Sequence, residues 1–415
     1  MLEHLRSSLR DIVQIGKRFK LRRTPTGASY ALADSVDMLN AEHWDALTAS
    51  ASVFLSRRYL RVLDQHRPDG VRQHAALVYL DGEPVAALSA QSLHLCGDSL
   101  PRPSDSQRKR DRALMQALSN VDQRVLVCGN LLSWGNHGVA LAPGADIERV
   151  WPAIAEALYR IRKADSMFGP TGLVLIKDRP LDDAPCEAAL GPYSYRAFDT
   201  EPDMRIELLP SWRTFDDYLA SLRKDYRKAI KTVDKHLREA GVSLERLSAE
   251  QVHAERDAIH DLYLAVQSVQ RFRLVTLEPS YLPALATALG DAFITTVLRT
   301  NEGKLAGFVT TVRDGAGAVG YFIGFDKTLE LPLYLRLLHA VIEDAISLGA
   351  RSISFGRTAL DPKARLGCEP HGMQCYVRHR IDPMNVVVRR LLELTPEPEL
   401  PPERSPFKVN EQMPA

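Results

Sequence analysis

The order in which apolar runs, turns and helical periods follow one another restricts this chain more than any single motif. His74 to Leu80 leads through Asp81 and Gly82 into Pro84 to Gln91, and Ile294 to Arg299 leads through Glu302 and Gly303 into Leu305 to Val312. Two apolar runs about a short turn ending in glycine predict a β-hairpin, because glycine reaches the positive φ that such turns need. Each hairpin continues alike. In the first half come a strand (Val125 to Asn130), a helix (Ile147 to Ala164) and a buried strand (Leu173 to Ile176); in the second, a strand (Val319 to Phe325), a helix (Leu333 to Leu348) and a strand (Ser352 to Phe355). Hairpin, strand, helix, strand occurring twice points to two α/β units of one plan, although the same order also arises independently in α/β proteins.

A length of 415 residues, 45% of them hydrophobic, suits two cores of ordinary domain size. Lys+Arg 53 against Asp+Glu 52 leaves a formal charge of +1, so no global field favours nucleic acid, membrane or acidic substrates, and such a partner must meet a local patch. The cysteines (Cys96, Cys128, Cys186, Cys368, Cys375) are scattered and never form a CxxC pair, as expected of reduced thiols. No apolar run approaches a membrane span, and charged residues interrupt the N-terminus where a signal peptide would be apolar, so the chain reads as soluble and cytoplasmic.

Residues 1 to 23 set Leu2, Leu5, Leu9, Ile12, Val13 and Phe19 among arginines and lysines, the pattern of a basic amphipathic helix. Such a helix either lies on the anionic inner face of a membrane or caps a domain. Pro101 to Arg112 is a polar, Arg-rich insertion, and the Pro/Glu-rich tail from 395 to 415 is expected to be loosely ordered. The expected division is an N-terminal helix (1–30), a first domain (31–202) and a second (203–394), with the boundary near Pro202. Beyond it Phe215, Tyr218, Leu222, Tyr226 and Ile230 recur at helical spacing toward a core, in one helical stretch running from Ser211 to Gly241, and leave Arg223, Lys224, Arg227, Lys228 and Lys231 on the other faces.

Trp212 to Arg227, Gly320 to Asp326, Leu333-Tyr334, Phe355 to Thr358 and Lys363 to Gly367 together resemble the GNAT-related acyltransferases of the Fem-type and cellulose-biosynthesis-acetyltransferase-like group. Leu55 to Leu63, the first hairpin, Cys128 to Asn130 and Gly135 to Gly138 give a fainter likeness. The resemblance implies an α/β (α+β) fold of two tandem GNAT-like domains, each a twisted mixed β-sheet flanked by helices, with substrates in a cleft where central strands splay. It implies amide formation, in which an amine attacks a thioester or aminoacyl ester. The enzyme then aligns the two, removes a proton and stabilises the oxyanion. Acetyl-CoA-dependent members place an Arg/Gln-x-x-Gly-x-Gly/Ala turn before the helix after the third strand, where backbone N–H groups hold pyrophosphate. Here that turn reads Lys327 to Tyr334 without glycine, which argues against a conventional CoA grip in the second domain.

The corresponding stretch of the first domain, Gly129 to Gly144, could cradle an anion through Asn136, Gly138 and neighbouring amides, or be a plain Gly-rich connection. Within it His137 is the candidate base, since an imidazole with a pKa near ~6.5 suits proton removal at neutral pH; the alternative is a hydrogen-bonded turn residue. Lys363 and Arg357 follow a strand end, where ligands gather in open sheets, and the resemblance implies contacts to a phosphate, carboxylate or oxyanion; the alternative is exposed loop charge. Asp326 either holds the acceptor amine or closes an Asx turn. Tyr321 and Tyr334 either line a channel or belong to the core. Lys224 and Arg227 match the family's substrate-contacting basic helix or form a solvated face, and Gln267, Gln270, Arg271 and Phe272 end a helix (Ala254 to Val269) that the resemblance places near the acceptor mouth.

No metal-ligand spacing, P-loop, dinucleotide fingerprint or nucleophile elbow is present in the sequence, so no metal and no tightly bound cofactor are expected. Three functions remain. The first is an N-acyltransferase using acyl-CoA or an acyl carrier protein thioester on a small-molecule or peptide amine. The second is a Fem-type ligase using aminoacyl-tRNA, and the third a catalytically silent double-GNAT scaffold. DNA is not an expected partner.

Overall fold

The computed structural model describes residues 20–21, 24–95, 122–181, 184–268, 274–393, 398 and 400–408. The amphipathic stretch 1–19, the insertion 101–112, Gln270, Arg271 and Phe272, and the tail positions 395–397, 399 and 409–415 lie outside them. The chain forms two compact units: residues 1–200 with 271–276 and 372–398, and residues 201–270 with 277–371 and 399–415. The break at Thr200 and Glu201 falls beside Pro202. Neither unit is a continuous stretch, however, because 372–398 packs with the first unit although the sequence suggests one domain from 203 to 394.

The first unit opens with β1 (Ser29–Ala33), α1 (Ala41–Thr48), α2 (Arg57–Gln65), the hairpin β2 (Arg72–Leu80) and β3 (Glu83–Leu95), then β4 (Gln123–Cys128), β5 (Val139–Leu141), α3 (Ile147–Ala164), β6 (Thr171–Pro180) and α4 (Ala184–Leu190). Strands β4 and β6 alternate between two apolar clusters. Leu126, Cys128, Val174 and Ile176 face the cluster under α3, whereas Val125, Val127, Leu173 and Leu175 face Leu93, Leu274 and Val275. Both faces of a parallel pair must be covered, which explains why these runs are almost wholly apolar. Helix α3 starts where Asp146 accepts the Glu148 N–H and buries Val150, Trp151, Ile154, Leu158 and Ile161 at helical spacing.

The chain passes into the second unit within β7 (Arg196–Glu207) and continues through α5 (Phe215–Ser221), α6 (Lys224–Glu239), β8 (Val242–Leu247), α7 (Ala249–Ala254), α8 (Arg256–Gln267), α9 (Tyr281–Leu289), the hairpin β9 (Phe293–Thr300) and β10 (Leu305–Asp314), β11 (Gly317–Phe325), α10 (Leu333–Ser347), β12 (Ser352–Ser354) and α11 (Leu360–Ala364). β13 (Glu369–His379) and α12 (Met384–Leu392) follow, and Met373 to His379 pair with β6 in the first unit. The first unit orders its strands β1-β2-β3-β4-β6-β13, and the second β7-β12-β11-β10-β9-β8. Each contains a hairpin, an antiparallel third strand and a parallel fourth, as the duplicated order predicts. The strand beyond the fourth comes from a distant part of the chain in both cases: β13 in one, β7 in the other.

Three expectations are corrected here. The helical stretch from Ser211 to Gly241 is not continuous: Leu222 is extended and bridges Phe407. Arg223 N–H donates to Pro406 O at 2.8 Å and Lys408 N–H to Ser221 O at 3.1 Å. Residues 400–408, expected to be loose, therefore dock, and the Phe407 ring lies where a Cβ on Gly367 would be 2.3 Å from it. The helix expected from Ala254 to Val269 is α7 and α8, separated at Glu255.

Candidate functional site

In the second unit the parallel strands β11 and β12 pair only at Ala318–Ile353 and Val319–Ser354. β11 then runs on to Phe325, while the β12 segment follows β7: Phe355 N–H donates to Met204 O at 2.8 Å and Met204 N–H to Gly356 O at 3.1 Å. A bulge opposite Thr310, whose Oγ1 accepts the Phe322 N–H at 2.9 Å, gives β11 extra bend and twist as the strands part. Parted strands leave main-chain groups on the facing edges without a ladder partner, and such edges can pair with an extended, amide-bearing ligand. Gly324 lets α8 approach this strand, since a Cβ there would sit 2.5 Å from the Leu262 backbone. Among the described residues of the first unit the corresponding parallel pair is longer. Its β4 and β6 stay paired from Arg124–Thr171 to Cys128–Ile176.

Lys363 lies beside the end of β12. It is on helix α11, not an exposed loop, and is 3% exposed. Its Nζ donates to Gly356 O at 3.1 Å. Burial brings its pKa down to about 8, against the opposing pull of the Asp203 carboxylate, because the ammonium loses hydration that the neutral amine does not need. Asp203, fully buried, accepts from Ser354 Oγ at 2.7 and 2.8 Å, from Gly356 N–H at 3.0 Å and from Arg205 Nε at 2.6 Å. Ala359 adopts φ +53° to start α11, a left-handed conformation that a non-glycine residue holds only under surrounding constraint. Arg357, on the same turn, is half-buried. Sequence reading missed Asp203 and Ser354, whose 151-residue separation leaves no local signal.

The other candidates are dispersed. Tyr321 is buried, its hydroxyl 2.9 Å from that of Tyr281, and Phe322 packs edge-on to it. Tyr334 packs against the cluster that holds Leu333, Leu337 and Phe355, with its hydroxyl pushed up to about 12 by burial. Asp326 accepts the Thr328 N–H at 2.9 Å and its hydroxyl at 2.6 Å, an Asx turn that holds its carboxyl below the usual range. Lys224 is exposed and Arg227 half-exposed in the first turn of α6, and neither pairs with an acid among the described residues. Gln267 is buried at the end of α8.

In the first unit the loop after β4 is tied to β3 and β6. Gly129 N–H donates to Ser89 O, Leu131 N–H to Gln91 Oε1, Leu132 N–H to Asn130 Oδ1 and Gly135 N–H to Asp178 Oδ2. These amides are committed within the fold, and the buried Asp178 is paired with Lys177, whose Nζ also donates to Ser133 O at 2.7 Å. Gly138 is there for packing: a Cβ would be 2.7 Å from the Cys128 and Gly129 backbone. Asn136 Oδ1 accepts from Arg179 at 2.6 Å. His137 is 5% exposed, 2.7 Å from Ser133 Oγ through Nδ1 and stacked on Phe54 at 4.4 Å. These surroundings are those of a packed core histidine.

Residues 221–364 match the family model of an acetyltransferase (GNAT) domain. Apart from 271–276, that span lies in the second unit; it includes the parted strands and ends just past Lys363. Among solved structures the chain is similar to FemX at 11% identity and a TM-score of 0.52, over 86% of this chain and 99% of that one, which establishes a common fold. A tandem GNAT protein from the clavulanic acid biosynthesis pathway gives 15% identity and 0.48 over 85% and 98%. The C-terminal domain of a putative lysylphosphatidylglycerol synthetase from Agrobacterium fabrum gives 12% and 0.48 over 84% and 94%. No curated protein matches by sequence. No helix of the described residues is long and apolar enough to cross a membrane, and none of their His, Cys, Asp and Glu side chains cluster as metal ligands.

Proposed function

We propose that the protein is an N-acyltransferase that joins an activated acyl group, carried as a CoA or carrier-protein thioester, to an amine in the second unit. The observation that carries this reading is the parting of β11 and β12 after two residue pairs, inside the span matched to the acetyltransferase domain. The opened edges offer main-chain groups to an extended amide-bearing donor. Beside them Lys363, with a pKa lowered to about 8, can accept the proton of an attacking amine or donate to the developing oxyanion. Arg357 supplies a fixed positive charge.

A second donor, aminoacyl-tRNA, is favoured by one feature: Lys224, Arg227, Lys228 and Lys231 on α6 have no acidic partner among the described residues, while the turn before α10 lacks glycine. The two are separated by identifying the ligand retained through purification by intact-complex mass spectrometry. A CoA thioester or acylated carrier supports the first reading. A charged tRNA, released with a steep dependence on salt, selects the second. Failure of both donor classes to acylate a panel of amines leaves a binding scaffold and removes the proposal. With the donor known, Lys363→Met and Arg357→Met are expected to lower kcat/KM by roughly ten- to a thousandfold; full activity in both places the site elsewhere.

A further inference from the structure

Asp203 and Lys363 hold opposite ends of one residue. The Asp203 carboxylate accepts the Gly356 N–H, and the Lys363 amine donates to the Gly356 carbonyl. Gly356 sits at φ +75° at the end of β12, where that segment has left β11, so its position is fixed by these bonds and by Met204. Ser354, one of the two β12 residues that still pair with β11, gives its hydroxyl to both oxygens of the same carboxylate. The fully buried Asp203 thereby ties the last paired residue of β12 to the turn that receives Lys363. Its negative charge is shared with Arg205, which is nearly half-exposed at the side chain.

We propose that Asp203 is a positioning residue for Lys363, acting through Gly356, the residue both side chains hold. Around Lys363 the titratable and charged groups are Asp203 and, behind it, Arg205 on β7, and Cys368 in the turn after α11, itself faced by Tyr218 of α5 and Tyr334 of α10. Burial pushes the Cys368 thiol up, so it stays neutral near pH 8 and Asp203 supplies the opposing charge. Removing that charge leaves the burial of the ammonium unopposed and releases the Gly356 turn.

The inference rests on reading Lys363 as part of the acyl-transfer site, but its test does not need turnover. Competitive labelling of the full chain with acetic anhydride across pH 6 to 10, read at Lys363 by peptide mass spectrometry, gives the titration midpoint of that amine. Asp203→Asn keeps the shape and loses the charge, and its midpoint is expected to fall by about one pH unit. Arg205→Ala frees Asp203 from its competing cation, and the midpoint is expected to rise. Ser354→Ala keeps the charge and should leave the midpoint in place while lowering the melting temperature. A folded Asp203→Asn protein with the parent midpoint overturns the proposal, as does Ser354→Ala moving it as far as Asp203→Asn. If Asp203→Asn does not fold, an unchanged midpoint in Arg205→Ala overturns it. Loss of the acyltransferase reading would instead appear as full activity in Lys363→Met, with these midpoints unaffected.

Discussion

Lys363→Met exchanges a buried amine for an apolar side chain of similar length, and its effect on stability depends on pH in a way that can be worked out. The folded-state pKa is about 8 against 10.5 for a solvated lysine. Between those values the unfolded chain binds the proton that the folded chain has released, so stability of the parent rises with pH across that window. Below it the burial penalty is present in full, and at pH 7 it amounts to about 3 kcal/mol; at pH 10 about 1 kcal/mol is left. The methionine variant has no such dependence. Its unfolding free energy relative to the parent is therefore expected to decline by about 2 kcal/mol between pH 7 and pH 10. Loss of the bond to Gly356 O shifts both values together and cancels in the difference. Urea titrations of both proteins at the two pH values measure it. A difference that stays constant with pH would show that Lys363 titrates as a solvated amine, and both its burial and its proposed role at the site would be wrong.

His137→Ala removes a ring stacked on Phe54 and bonded to Ser133, and the expected loss is about 2 to 3 kcal/mol, read as a lower melting temperature with acyl transfer per folded molecule retained. A selective fall in kcat with unchanged stability would return it to the chemistry. Phe407→Ala deletes the ring that lies against Gly367, Trp212 and Tyr218 and should cost about 2 to 3 kcal/mol, seen as earlier urea unfolding; an unchanged midpoint would mean the segment 400–408 does not dock.

Local pattern sufficed where one face or one turn decides the outcome. Two apolar runs about a glycine turn placed both hairpins, and α3 spans the residues expected, Ile147 to Ala164. The GNAT resemblance lay in the residues around Gly320 to Asp326 and Phe355 to Gly367, and the domain model spans the same region. What tertiary structure decided depends on partners far apart in the chain. Leu222 is apolar and correctly spaced for a helix, yet it is extended because Phe407 pairs with it 185 residues later. In the sequence Lys363 reads either as a site contact or as loop charge; its burial beside Gly356 and Asp203 appears only in the fold. The glycines at 129, 135 and 138 read either as an anion loop or as a plain connection; that Asp178 takes the Gly135 amide and the backbone at Cys128 closes on Gly138 is decided by the fold. β13, expected in the second domain, has its hydrogen-bonding edge taken by β6 in the first. Periodicity records which face of an element is apolar; it carries no information about which distant edge, carboxylate or ring will meet that face, because those contacts form only once the chain has closed on itself.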